Sequence, residues 1–119
     1  MNLQIVQILD RGVPNKERLW LKAMADINLK FYIVVVTTYI TPRTVSNNPK
    51  YTFWFYDKNV KAGDNVVLCT GKGVSSESPN PSGGTNHYIY WGLPDTVWNK
   101  TGDCAILFEI NTWAATKYE

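Results

Sequence analysis

The chain has 119 residues, 45% of them hydrophobic, and a formal net charge of +2. That describes one domain, able to bury about two-thirds of the surface its unfolded form exposes and so to hold a core without metal or disulfide help. The slight basic excess falls well short of a nucleic-acid-binding arm. The longest apolar run, Phe31–Val36, is far below the ~18 residues of a membrane span. No basic segment precedes Asn2–Leu9, so no secretory leader or membrane partner is expected and a cytoplasmic location is.

Taken in order, the elements are short and extended. Leu3–Leu9 reads as a first strand, ended by the turn residues Asp10 to Asn15. Glu17–Ala25 is a helix by propensity but a strand by period, because Leu19, Leu21, Ala23 and Ala25 alternate with Arg18, Trp20, Lys22 and Met24. Phe31–Thr38 is β-branched and aromatic on both faces, the pattern of a covered central strand. Tyr39–Asn48 carries Pro42 and reads as a loop. Lys50–Tyr56, Asn65–Thr70, Asn86–Trp91 and Cys104–Ile110 are further strands, and Thr112–Tyr118 is expected to pair as an eighth. Ser75–Thr85, rich in Ser, Pro and Gly, reads as a surface loop too polar to pack. Many short strands with regular turn signals argue for an all-β sandwich of about seven to nine strands. Two turns follow one logic, since Ala62-Gly63-Asp64 and Gly102-Asp103 each place a glycine before a β run, where positive φ costs it nothing.

The order of these segments carries a family resemblance. Val60-Lys61-Ala62-Gly63-Asp64 leads into Val66-Val67-Leu68-Cys69 and Gly71-Lys72-Gly73; Tyr90-Trp91-Gly92 follows, then Trp98-Asn99-Lys100-Thr101-Gly102-Asp103 and the apolar Cys104–Phe108. The whole resembles the lamin tail domain, and Glu17-Arg18-Leu19-Trp20-Leu21 looks like that family's Glu-x-Val-x-Leu strand, which favours strand for the ambiguous segment. Tyr32 stands where the family has Trp, Phe31 where it has Gly, and Ala23 where a strand-end Asn is usual. The resemblance implies an immunoglobulin-like sandwich over residues 1–119. It also implies a non-enzymatic interaction module whose partner is a protein or DNA. No heptad pattern accompanies it, so a filament rod is not expected.

The motifs that could carry chemistry are weak. Gly71-Lys72-Gly73 lacks the distal Gly and the Ser or Thr of a phosphate loop. His87, the sole histidine, has no paired-ligand spacing with Cys69 or Cys104 and reads as a strand-face or surface residue. The two cysteines are expected as small buried hydrophobes, with a cross-strand disulfide as the sharper alternative. Asp57, Asp64, Asp95 and Asp103 fall in turns, where Asp bonds nearby amides. No nucleophile–base signature is present, and neither an enzyme activity nor a cofactor is expected. Two candidate binding surfaces stand beside the commoner roles of such residues, solvated turn charge for the lysines and core or cross-strand packing for the aromatics. Lys58, Lys61, Lys72 and Lys100 all fall in turns; gathered at one end of a sandwich they would meet a phosphate backbone or another acidic partner. Trp54, Tyr56 and Trp91 are the candidate stacking platform of a carbohydrate-binding alternative.

Overall fold

The computed structural model describes residues 1–118 and folds them as an all-β sandwich. A five-stranded sheet has the order β1 (Leu3–Leu9), β2 (Arg18–Ala23), β8 (Asn65–Cys69), β10 (Thr85–Tyr90), β9 (Ser76–Pro79). A second sheet is centred on β4 (Tyr32–Thr41), with β11 (Asp103–Glu109) on one side and β6 (Tyr51–Trp54) with β5 (Thr44–Val45) on the other. The two-residue strands β3 (Ile27–Asn28) and β7 (Asn59–Val60) pair with each other. Leu29–Phe31 forms one 3-10 turn. Among the described residues no helix is long and apolar enough to cross a membrane.

Period two decides the ambiguous segment. Leu19, Leu21 and Ala23 are buried while Lys22 is exposed, because a strand sends alternate side chains to opposite faces. From the facing sheet Tyr32, Val34 and Val36 point inward, and Val66, Leu68, Ile89, Phe55 and Trp98 fill the space between. Burying one such side chain is worth about 1.5–3 kcal/mol.

Three expectations are corrected. Ser75–Thr85 is not simply a loop, because β9 pairs antiparallel with β10; it is an edge strand, held through its backbone, whose polar side chains leave no apolar pattern. Tyr39–Asn48 is not a plain loop either: β4 continues to Thr41 and folds back on β5. Thr112–Tyr118 forms no strand; its Trp113 ring instead meets Trp54 edge-on at 6.3 Å. Cys69 and Cys104 are free thiols, each half-buried and standing on different sheets.

The two Lys-x-Gly-Asp turns are built alike. Gly63 has φ 90° and Gly102 has φ 92°. The Asp64 amide donates to the Lys61 carbonyl at 3.0 Å, and the Lys61 amide donates back to Asp64 Oδ2 at 3.0 Å. Asp103 and Lys100 repeat both bonds at 3.0 Å. Both aspartates are then buried, and each has a further partner: Asp103 Oδ1 accepts from Lys50 Nζ at 2.7 Å and from the Thr38 hydroxyl at 2.9 Å. Burial alone would raise the Asp103 carboxyl, but Lys50, the Lys100 amide and Thr38 outweigh it and hold the pKa down to about 2. Asp64 is shifted the same way: burial opposes ionisation, and His87 with the Lys61 and Thr85 amides overrides it.

A folded pKa below the unfolded value stabilises the fold above the unfolded pKa, and that contribution disappears as pH falls through the folded one. We expect Asp103 to contribute about 2 kcal/mol at neutral pH, lost between roughly pH 5 and 2. Urea midpoints at pH 7, 5 and 3 should fall steeply for the wild type and less steeply for Asp103→Asn. Equal slopes for the two proteins would remove Asp103 from this role.

Candidate functional site

The solvent-facing side of the five-stranded sheet is set by register. Arg18 lies opposite Cys69, Trp20 opposite Val67 and Lys22 opposite Asn65. On the other side of β8, Tyr90 lies beside Cys69, Tyr88 beside Val67 and Asn86 beside Asn65. Since Leu19, Leu21, Val66, Leu68, His87 and Ile89 are the buried set, these partners form three rows on the outer face. Side chains tie two of the rows together: Trp20 Nε1 donates to Asn65 Oδ1 at 2.9 Å, and Asn65 Nδ2 donates to Asn86 Oδ1 at 2.9 Å. The surface is therefore half-buried and aromatic in its middle, with Arg18 and Lys22 at its margin.

At the C-terminal end of β8 the face deepens into a cleft of about 250 Å³, lined by Lys16, Glu17, Arg18, Cys69, Lys72, Tyr88 and Tyr90, with Asn15 and Gly71. The crossing of the Gly71-Lys72-Gly73 segment explains one glycine: a Cβ on Gly73 would lie 2.4 Å from Tyr90 Cε1, far inside van der Waals contact, so the Tyr90 ring occupies the space a side chain would need. Arg18 Nη1 is anchored by Asp10 Oδ2 at 2.7 Å and by the Lys16 carbonyl at 2.7 Å. The Glu17 carboxylate is turned inward and buried, accepting from the amides of Gly12, Val97 and Trp98 and from the Thr70 hydroxyl. Burial pushes the Cys69 thiol up despite nearby Arg18. The Tyr90 hydroxyl beside it is also raised, chiefly by the Cys69 sulfur and then by burial. Both groups are therefore protonated at neutral pH, and the cleft floor adds no negative charge.

The four turn lysines do not share one end. Lys61 precedes β8 and Lys72 follows it, and a five-residue strand separates them by roughly 16 Å. Lys58 belongs with Lys61 beside the β3–β7 pair and is bound to Glu77 at 3.1 Å. Lys100 belongs with Lys72, since the β1–β2 turn contacts both neighbourhoods: Arg11 donates to the Lys100 carbonyl at 3.2 Å, and a Cβ on Gly71 would lie 3.7 Å from Asn15 Oδ1. The lysines form two pairs at opposite ends of the sheet.

The three candidate platform rings are also dispersed. Trp54 is 54% exposed but meets Trp113 at an interplanar angle of 81°. Tyr56 leaves that surface and its hydroxyl donates to Ser75 Oγ at 3.3 Å. Trp91 is half-buried, its ring centroid 5.4 Å from that of Phe53. No coplanar exposed pair exists among them.

His87 is buried rather than on the surface, with Nε2 2.7 Å from Asp64 Oδ2 and Nδ1 without a hydrogen-bond partner among the described residues. It points inward from β10 while Cys69 lies on the outer face of neighbouring β8, so they cannot act as a nucleophile–base pair. Lys16, Arg18, Trp20, Tyr88 and Tyr90, which line this surface, escape a search for clustered turn charges. The signal that could find them is alternation: Arg18, Trp20 and Lys22 on one strand, Tyr88 and Tyr90 on another, all at even spacing.

Compared with protein-family models, with curated proteins and with solved structures, the chain matches none of them.

Proposed function

We propose that the chain is a lamin-tail-like, immunoglobulin-like sandwich acting as a non-enzymatic binding module, and that it engages a protein partner or DNA through the outer face of its five-stranded sheet. The observation that carries this reading is the face itself: Trp20, Tyr88 and Tyr90 aligned by strand register, with Arg18, Lys22 and Lys72 around them. Aromatic and arginine side chains in a part-desolvated patch are the usual anchors of a protein-binding surface, and marginal cations add attraction to an acidic partner.

The resemblance is supported by contacts between its distant parts. Glu17, from the early motif, receives the amides of Val97 and Trp98, from the late one, at 2.8 and 3.0 Å. A non-enzymatic role fits the use of the buried acids: Glu17, Asp64 and Asp103 are each occupied in closing turns or joining segments, which leaves none free to move a substrate proton. The carbohydrate-binding alternative on Trp54, Tyr56 and Trp91 lacks the coplanar pair that sugar stacking needs.

The test is an amide NMR titration of the labelled domain with a short DNA duplex at low and near-physiological salt. We expect shifts along β2 and β10 around Arg18, Trp20, Tyr88 and Tyr90 that weaken as salt rises, as counterion release requires. The absence of any shift at low salt retires DNA and leaves the protein partner; shifts confined to Lys58 and Lys61 would move the interface to the opposite end of the sheet.

A further inference from the structure

We infer that the cleft at the end of β8 is a binding site for a phosphomonoester, with the phosphoryl group between Lys16, Arg18 and Lys72 and a flat substituent against Tyr88 and Tyr90. The inference rests on the reading of this sheet face as the binding face and adds to it a ligand of defined chemistry.

Three cations converge on one cleft of about 250 Å³. Arg18 is paired with Asp10, but no carboxylate lies within ion-pair distance of Lys16 or Lys72 among the described residues. Glu17, the acid in the lining, is turned into the interior, where its two oxygens receive four neutral donors from Gly12, Val97, Trp98 and Thr70, so it offsets part of the cleft's charge but ion-pairs with neither lysine. The amides of Gly71, Lys72 and Gly73 donate to no backbone group among the described residues, so the loop that borders the cleft has unused donors. A phosphomonoester carries nearly two charges at neutral pH and three strong acceptor oxygens, a demand that one carboxylate does not make and that this set of donors meets. The neutral Cys69 thiol and Tyr90 hydroxyl, in contact with each other, allow an anion to approach. Gly71-Lys72-Gly73 thus acquires a role although it is no phosphate loop of the strand–loop–helix kind: its backbone passes over Tyr90 only because Gly73 lacks a side chain, and that crossing presents Lys72 at the cleft mouth.

The experiment is an NMR and calorimetric titration of the intact chain with adenosine 5′-monophosphate, with adenosine and inorganic phosphate as controls. A 5′-phosphorylated duplex is compared with the same duplex ending in a 5′-hydroxyl. The nucleotide arm reports a free ligand and the duplex arm a strand end; phosphate-dependent binding in either supports the site. We expect the monophosphate to shift the amides of Gly71–Gly73 and the rings of Tyr88 and Tyr90, inorganic phosphate to compete, and adenosine to bind far more weakly. Lys72→Ala, on an exposed side chain that contributes nothing to the core, should weaken binding about tenfold, the effect of losing one charge-assisted hydrogen bond, and Lys72→Arg should retain it. Equal binding of adenosine and its monophosphate, or indifference to Lys72→Ala in a folded variant, overturns the site. If the 5′-hydroxyl duplex shifts the sheet face while the monophosphate and the phosphorylated end leave the cleft amides unmoved, this inference falls and the binding-module reading stands.

Discussion

Replacing Trp98 by alanine should destabilise the fold by about 3–5 kcal/mol, the usual cost of truncating a large buried aromatic. The side chain is 1% exposed and is the largest of the fully buried set. It sits on no strand. Its position is fixed by its own backbone amide, which donates to Glu17 Oε2 at 3.0 Å, so the backbone cannot easily collapse to fill the void. The indole Nε1 has no hydrogen-bond partner among the described residues, which sets a control: Trp98→Phe removes that unpaired donor while keeping a ring, and should cost only about 1–2 kcal/mol. Urea denaturation of the three proteins measures both differences. A loss below 1 kcal/mol for Trp98→Ala would mean that the Val97–Trp98 segment is an accessory flap and that the sandwich closes without it.

Much of this fold is legible in the sequence because its physics is local. Leu3–Leu9 is a strand with the expected bounds, and the alternation at Leu19, Leu21 and Ala23 overrides a helical propensity because the facing sheet rewards one buried side. The Lys-x-Gly-Asp turns are equally visible, since a glycine at positive φ followed by a side chain that bonds back to the turn is a four-residue event. What stays hidden depends on pairing at a distance. β9 has no apolar face to announce it, being an edge strand of Ser, Glu, Ser and Pro. His87 looks like any strand histidine until β10 is laid parallel to β8, which carries it to Asp64. The turn lysines look like one cluster until β8 is seen to separate Lys61 from Lys72.

The same reasoning explains why the candidate binding face differs from the surfaces that turn charge and aromatic content suggest. Trp91 and Phe53 are used to pack against the core, so aromatic content alone does not identify a surface. The rings at even spacing on β2 and β10 are half-buried, but strand register places them together on the outer face, opposite the leucines and isoleucine that hold the sheet down. The partner surface is thus the reverse side of the core pattern, and reading it requires the order of strands as well as their periods.

Glu17 is where the fold and the candidate site depend on the same group, and Glu17→Gln should destabilise the protein by about 2–4 kcal/mol. Each carboxylate oxygen accepts two hydrogen bonds: Oε1 from the Val97 amide at 2.8 Å and the Thr70 hydroxyl at 2.9 Å, Oε2 from the Gly12 amide at 2.8 Å and the Trp98 amide at 3.0 Å. A glutamine puts an NH2 group where one oxygen was, so two donors face a donor in a place water does not reach. Glu17→Ala leaves all four donors without an acceptor and opens a cavity, and should cost more, about 3–5 kcal/mol. The expected signature is local as well as global. The Val97 and Trp98 amides, both hydrogen-bonded to Glu17, should resist hydrogen exchange in the wild type and exchange in the glutamine variant by local opening, well before the strands of either sheet. Lys16 and Arg18 flank Glu17 in the chain and line the cleft above it, so in the folded fraction of that variant the phosphomonoester affinity should fall although no ligand-facing charge has been removed. If the glutamine variant keeps its urea midpoint and the Val97 and Trp98 amides stay protected, the clamp is not what joins the early and late halves of the sandwich, and the packing of Trp98 alone must hold that segment in place.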